Sequence, residues 1–318
     1  MQTDCLALGV IVVDHLCTPL PRLPHPGELL LVDDLPLSIG GCAANAAVDL
    51  ARVGVNVAAM GCVGNDPFGD YAVDFLARAG VRTDAIGRTS ETCTAASLII
   101  NVADQDRRFI HTRGASGVIS PESIPWELIE QTKILYIGGF LLMPRLSQPG
   151  TLSKIFARAR AAGVKTVLDV VVPGPGDYWP IFAELLPETD VFLPNRDESE
   201  LITGLADPCE QAAKFRAAGV KTVAITLGEQ GTLLQTADQT IRAGVYPTNF
   251  VGATGAGDAF DAGFIAGMLA GEDWLGCLRW GSALGASCVR SLNATDSVFT
   301  REQALAFMRA NQLSLEQL

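Results

Sequence analysis

Ala162-Gly163-Val164-Lys165-Thr166-Val167 recurs in the chain as Ala218-Gly219-Val220-Lys221-Thr222-Val223. Each copy follows a helical pattern, at 153–162 and 211–218. Each places a glycine where a helix C-terminus calls for a left-handed residue. Each then runs into a short apolar stretch with little polar alternation, as a strand covered on both faces requires. The hexamer reads as the joint of an αβ unit, and two such units predict one layered α/β sheet. Further strands of the same kind are expected at 6–13, 55–63, 134–137, 165–170, 191–193 and 221–226. Further helices are expected at 43–53 and 71–79.

Two stretches break this rhythm. Residues 17–38 contain five prolines around a short alternating segment at 28–34. Residues 94–113 read as a hairpin, with strands 94–102 and 107–112 joined by Asp104-Gln105-Asp106. Both interrupt the βα order, so they are expected to form a small separate sheet that can act as a lid over a crevice at the strand ends. The whole of 1–318 is expected to be one domain.

Hydrophobic residues make up 48% of the 318 residues and charged residues 18%, which excludes a disordered chain. The net charge of −12, with no Lys/Arg run, argues against a nucleic-acid partner. No uncharged stretch has the ~18 to 20 residues of a membrane span. The N-terminal run lacks a basic flank and a cleavage signature, so it reads as a strand rather than a secretory signal. Eight scattered cysteines without a CxxC pair fit a reducing cytoplasm, and three histidines make a His-rich metal site unexpected.

Four motifs carry chemistry. Gly252-Ala253-Thr254-Gly255-Ala256-Gly257-Asp258 opens an apolar helix. Glycines there let backbone N–H groups and the positive end of the helix dipole converge on an anion. Asp258, beside that hole, suits a proton acceptor for an incoming hydroxyl, or a simple helix cap. The loop has neither the GK[ST] of a Walker A motif nor the strand–GxGxxG–helix context of a dinucleotide fingerprint. Gly40-Gly41-Cys42-Ala43-Ala44-Asn45 opens a second helix, as a ligand surface or as an ordinary helix start. Asp14 lies near the end of the first apolar run, where ligands gather in open α/β sheets or where a strand simply turns. Asn195 and Glu198 follow the strand at 191–193. They suit Mg²⁺ held through water, and equally a capping box.

In this order and spacing the motifs resemble the signatures of the ribokinase-like (PfkB) family of carbohydrate kinases. Pro26-Gly27-Glu28, Gly61 to Asp66 with Gly69, Gly80-Val81 and Thr226-Leu227-Gly228 with Gly231 fit the same pattern. The resemblance implies a three-layer α/β/α fold with a small β lid. It implies transfer of the γ-phosphoryl of ATP, with Mg²⁺, to a hydroxyl of a small sugar or sugar acid. It makes Asp258 the base and Gly255, Ala256 and Gly257 the anion hole. Asp14, Gly40, Gly41 and Asn45 would hold the sugar. Asn195, Glu198, Thr226, Gly228, Gly231 and Asn293 would serve the nucleotide, with Glu198 toward Mg²⁺. A homodimer through the lid's outer face also follows from it.

Two positions depart from the family pattern. Gly252 and Ala253 stand where an Asp-Thr pair is common, and that Asp is a cation ligand in members activated by monovalent cations. A K⁺ requirement is therefore in question, unless Asp296 or Ser297 substitutes. The segment 136–140 lacks the carboxylate expected of a ribose-specific member. The alternatives are a nucleoside kinase of the same family, disfavoured because Phe109 is the only aromatic residue in the lid segments, and a catalytically silent sugar-binding regulator.

Overall fold

The computed structural model describes residues 3–103, 105 and 108–318. In chain order the strands and helices are β1 Cys5–Gly9, β2 Val12–Leu20, β3 Leu37–Gly40, α1 Cys42–Arg52, β4 Val57–Gly64, α2 Pro67–Arg78, β5 Arg82–Thr89, β6 Ala95–Val102 and β7 Arg108–Thr112. They continue with α3 Trp126–Ile129, β8 Ile134–Gly138, α4 Thr151–Ala161, β9 Lys165–Leu168, α5 Trp179–Leu185, β10 Val191–Phe192, α6 Arg196–Thr203, α7 Pro208–Ala217 and β11 Thr222–Thr226. The last are β12 Thr232–Gln235, β13 Thr240–Ala243, α8 Ala256–Leu269, α9 Trp274–Cys288, α10 Arg301–Ala310 and β14 Leu315–Gln317.

Ten strands form the main sheet in the order β14-β13-β12-β11-β10-β9-β8-β1-β4-β5. From β5 to β11 every pairing is parallel, and β12 to β14 close the far edge antiparallel. Alternate residues of the central strands feed two cores. Leu6, Leu8, Leu135 and Ile137 face the layer of α4, α5 and α7, while Cys5, Ala7, Ala59 and Tyr136 face α1, α8 and α9. This strand alternation between two helical layers makes a three-layer α/β/α arrangement.

The chain leaves β1 to build β4 on one side and returns to add β8 on the other. That reversal of strand order opens a crevice beyond the carboxyl ends of β1 and β8, the general ligand position in such sheets. The ends of β9, β10 and β11 extend the same rim.

The second sheet has the order β3-β2-β6-β7. The single strand expected at 6–13 is instead two strands in two sheets. Gly9 lies so close to β8 that a Cβ there would come within 2.1 Å of the Gly138 carbonyl oxygen. After Val10-Ile11 the chain crosses into β2, so the second sheet starts at Val12 rather than at 17, and Asp14 belongs to it. The alternating segment 28–34 forms no strand. Leu29 and Leu31 are 82% and 84% exposed, so alternation there meets no core to bury it. The residues joining β6 and β7 include Asp104, Asp106 and Arg107, and that part of the hairpin expectation lies outside the described residues. Strands β5 and β12–β14 were not expected. Among the described residues no helix is long and apolar enough to cross a membrane.

Candidate active site

Helix α8 begins after Gly255, whose φ of 78° is left-handed. A Cβ at that position would also meet the Ala294 carbonyl oxygen at 2.6 Å. Glycine is the residue that fits both constraints. No side chain caps the helix, so the N–H groups of its first turn are left for something else. Asp258 is the third residue of α8 and does not act as its cap. Its carboxylate accepts a 2.8 Å hydrogen bond from the Asn45 side-chain amide, 213 residues away in sequence.

Asn45 stands in the first turn of α1, which starts after Gly41 at φ 91°. Two glycine-opened helices thus meet tip to tip at the rim of the crevice. Asn45 is 4% exposed, and its Oδ1 has no hydrogen-bond partner. Burial pushes the Asp258 carboxyl above the usual carboxylate range, against hydrogen bonds from Asn45 and the Cys42 thiol.

Asp14 packs directly over Gly40, where a Cβ would come within 2.0 Å of its Oδ2. The motif glycine therefore makes room for the carboxylate. Burial raises Asp14 to about 6; a hydrogen bond from Ser97 opposes this and the charge of Asp258 adds to it.

A third carboxylate, Asp169, follows β9 and is 8% exposed. It accepts from the Gly139 backbone N–H at 2.9 Å, and its oxygen lies within 4.8 Å of ligand atoms of both Cys42 and Asp258. Burial raises its pKa well above normal, with Glu198 and Asp258 adding to the effect. Sequence reasoning took Asp169 into the buried strand 165–170. The signal that could have found it is the one that drew attention to Asp14: a lone carboxylate where an apolar strand ends. Deeper in α8, Asp261 accepts from the Tyr136 hydroxyl at 2.9 Å.

Beside the α8 tip lies a cleft of about 850 Å³. Asn195, Thr226, Gly228, Gly231, Ala256 and Gly257 all line it, so the cleft gathers nucleotide-site and anion-hole candidates from three separate motifs. Asn195 caps α6 in a reciprocal box: its Oδ1 accepts from the Glu198 N–H, and Glu198 Oε2 accepts from the Asn195 N–H, both at 2.9 Å. The capping reading is therefore realised. Burial raises Glu198 to about 7 against that backbone bond, and the charges of Asp258 and Asp197 raise it further. Carboxylates of this kind are the oxygen donors a hard divalent cation takes; Asp169 and Asp258 lie within reach of one ion, and Glu198 stands outside that group. Asn293 does not line the cleft; its amide bonds to the Asp296 carboxylate instead.

The comparisons agree with this geometry. The profile of the pfkB family carbohydrate kinases matches residues 3–301. A ribokinase of Haemophilus influenzae is 29% identical, covering 97% of this chain and 99% of its own. A ribokinase of Staphylococcus aureus is 31% identical, covering 86% and 88%. The solved structure of Arabidopsis thaliana ribokinase, complexed with ribose and ATP, superposes with a TM-score of 0.83 at 24% identity, covering 97% of this chain and 99% of that one. With a ribokinase-like three-layer fold, a smaller sheet beside the crevice and a family match over nearly its whole length, the chain belongs to the pfkB family of carbohydrate kinases.

Proposed function

We propose that the protein is an ATP-dependent kinase that transfers the γ-phosphoryl group to a hydroxyl of a small sugar or sugar acid, working as one domain with the second sheet as its lid. The observation that carries this reading is the Asn45–Asp258 contact at the tip of α8, beside the cleft. It joins an acceptor-side motif and a phosphate-side motif at one point.

In this reading the incoming hydroxyl sits between Asp14, Asn45 and Asp258. Asp258 takes its proton as the oxygen attacks phosphorus, and Asn45 orients the carboxylate. The first-turn N–H groups after Gly255 and the dipole of α8 face the charge that builds on the transferring group. Asn195, Thr226, Gly228 and Gly231 shape the nucleotide cleft. The carboxylates of Glu198 and Asp169 fit Mg²⁺ held through water, which when bound neutralises phosphate charge. Closure of the lid sheet keeps water from the phosphoryl group.

The test is ADP release from ATP and Mg²⁺ over a panel of sugars, sugar acids and nucleosides. Turnover with a sugar or sugar acid supports the reading. Turnover confined to nucleosides, or none at all, overturns it.

A further inference from the structure

Two polar groups on one face of α1 are sealed from solvent without a hydrogen-bond partner among the described residues. One is Asn45 Oδ1; the other is the carboxyl of Asp49, of which both oxygens are unpaired. Asp49 follows Asn45 by four residues, one turn of the helix, so the two side chains are neighbours. A ligand in the crevice cannot reach these oxygens. The donor that Asn45 Oδ1 needs has to come from within the protein.

The surroundings of Asp49 leave it acidic. Arg52, three residues on, acts on it by charge but directs its guanidinium to the carbonyls of Thr295, Asp296 and Val298. The other titratable groups that bear on it are Asp258 on α8 and Cys288 on α9. The Cys288 thiol is turned to the carbonyls of Thr254 and Ala294. Burial holds the Asp49 carboxyl well above the usual carboxylate range, with Asp258 adding to the effect and Arg52 opposing it. A charge buried here with no hydrogen bond is avoided by keeping the proton.

We infer that Asp49 is a neutral acid that donates a hydrogen bond to Asn45 Oδ1, and is thereby a positioning residue for phosphoryl transfer. This rests on the kinase reading above and deepens it. An amide has a donor end and an acceptor end. With Oδ1 held by Asp49, the donor end faces Asp258, where it makes the 2.8 Å contact. An ionised Asp49 would compete for that donor end and turn the acceptor end toward Asp258, oxygen against oxygen. One proton therefore satisfies both unpaired groups and sets the direction of the chain from Asp49 through Asn45 to Asp258.

The experiment compares Asp49→Asn with Asp49→Leu. Asp49→Asn keeps an N–H donor toward Asn45 and should hold kcat within about twofold of the wild type. Asp49→Leu keeps the bulk and removes the donor; kcat should fall by about tenfold with the ATP KM unchanged. The acidic limb of its kcat–pH profile should also move to higher pH, because Asp258 loses the amide hydrogen bond that lowers its pKa. A merely structural role would not move that limb in one variant and spare it in the other. Asp49→Ala, equally without a donor, gives the same reading should Leu not be accommodated. In the infrared difference spectrum between wild type and Asp49→Asn at neutral pH, the wild type should show a protonated-carboxyl band. Carboxylate bands in its place, equal losses of kcat in both variants, or wild-type behaviour without the donor each overturn the inference and leave the kinase reading standing. A wild type that turns over no acceptor overturns the kinase reading and the positioning role together.

Discussion

Burial sets the working range of the carboxylates at the α8 tip. Asp258 must lose its proton before it can accept another, and its pKa lies above the usual carboxylate range. Turnover should therefore begin to fall, as the pH drops, while the pH is still above the usual carboxylate range. A kcat–pH profile reads this directly. Asp258→Asn keeps the shape of the side chain and removes its basicity. It should preserve the circular dichroism spectrum and ATP binding while lowering kcat by roughly 10² to 10⁴. Asp14→Ala should raise the sugar KM tenfold or more, about 1.5 to 3 kcal/mol for a lost charged hydrogen bond, and leave the ATP KM nearly unchanged. Equal effects on both substrates would place Asp14 in folding instead. The cation question turns on a thiol. Cys288 Sγ lies 3.3 Å from the Thr254 carbonyl and 3.0 Å from that of Ala294, so its one S–H serves one or other of two oxygens that would ring a cation, and Gly252 brings no charge. Exchanging K⁺ for a bulky organic cation at constant ionic strength should leave the rate flat; a several-fold loss would show that other oxygens complete a site.

At the level of elements, the parallel strands were legible because burial on both faces writes itself as continuous Val, Ile, Leu and Ala. Helix ends were legible where glycines such as Gly163 and Gly219 take left-handed backbone. Edge strands were not. β5 carries Arg82, Asp84 and Arg88 and has no buried residue, and β12 to β14, which end at the other edge, are short and antiparallel, so neither shows a continuous apolar run. The passage from β1 to β2 escaped notice because both halves are equally buried; only the close approach of Gly9 to Gly138 divides them. Among the site residues, motif glycines and their neighbours stood out, whereas Asp169 was hidden by the strand it ends. Two predictions belong to this scale. Gly255→Ala puts a side chain at φ 78° and against Ala294; it should lower stability by about 1 to 3 kcal/mol and cut kcat more than it raises the sugar KM. Hydrogen exchange in β2, β3, β6 and β7 should slow when sugar is added, and unchanged exchange there would count against a lid.

For the whole molecule, grouped carboxylates have a cost that depends on pH. Asp14 and Glu198 shift upward from 3.8 and 4.5 to about 6 and 7. A carboxyl raised in the folded state holds its proton more tightly than in the unfolded chain. Its contribution is complete below the unfolded pKa and is lost as the pH rises through the folded one. The unliganded protein should therefore melt at a lower temperature at pH 8 than at pH 5.5, and ATP with Mg²⁺ should reduce that difference. A melting temperature that rises from pH 5.5 to 8 would contradict the assigned burial of these groups. The contact between Asn45 and Asp258 has one more consequence, in the order of synthesis. The partners lie 213 residues apart, a stretch that takes roughly 10 to 40 s to translate at about 5 to 20 residues per second. A nascent chain can finish β1, β2 and α1 long before α8 leaves the ribosome, so α1 waits at the crevice with Asn45 unpaired. Catalytic competence then arrives abruptly, near the end of translation, and a chain stalled before Ala256 gains no partial activity however well its first half has folded.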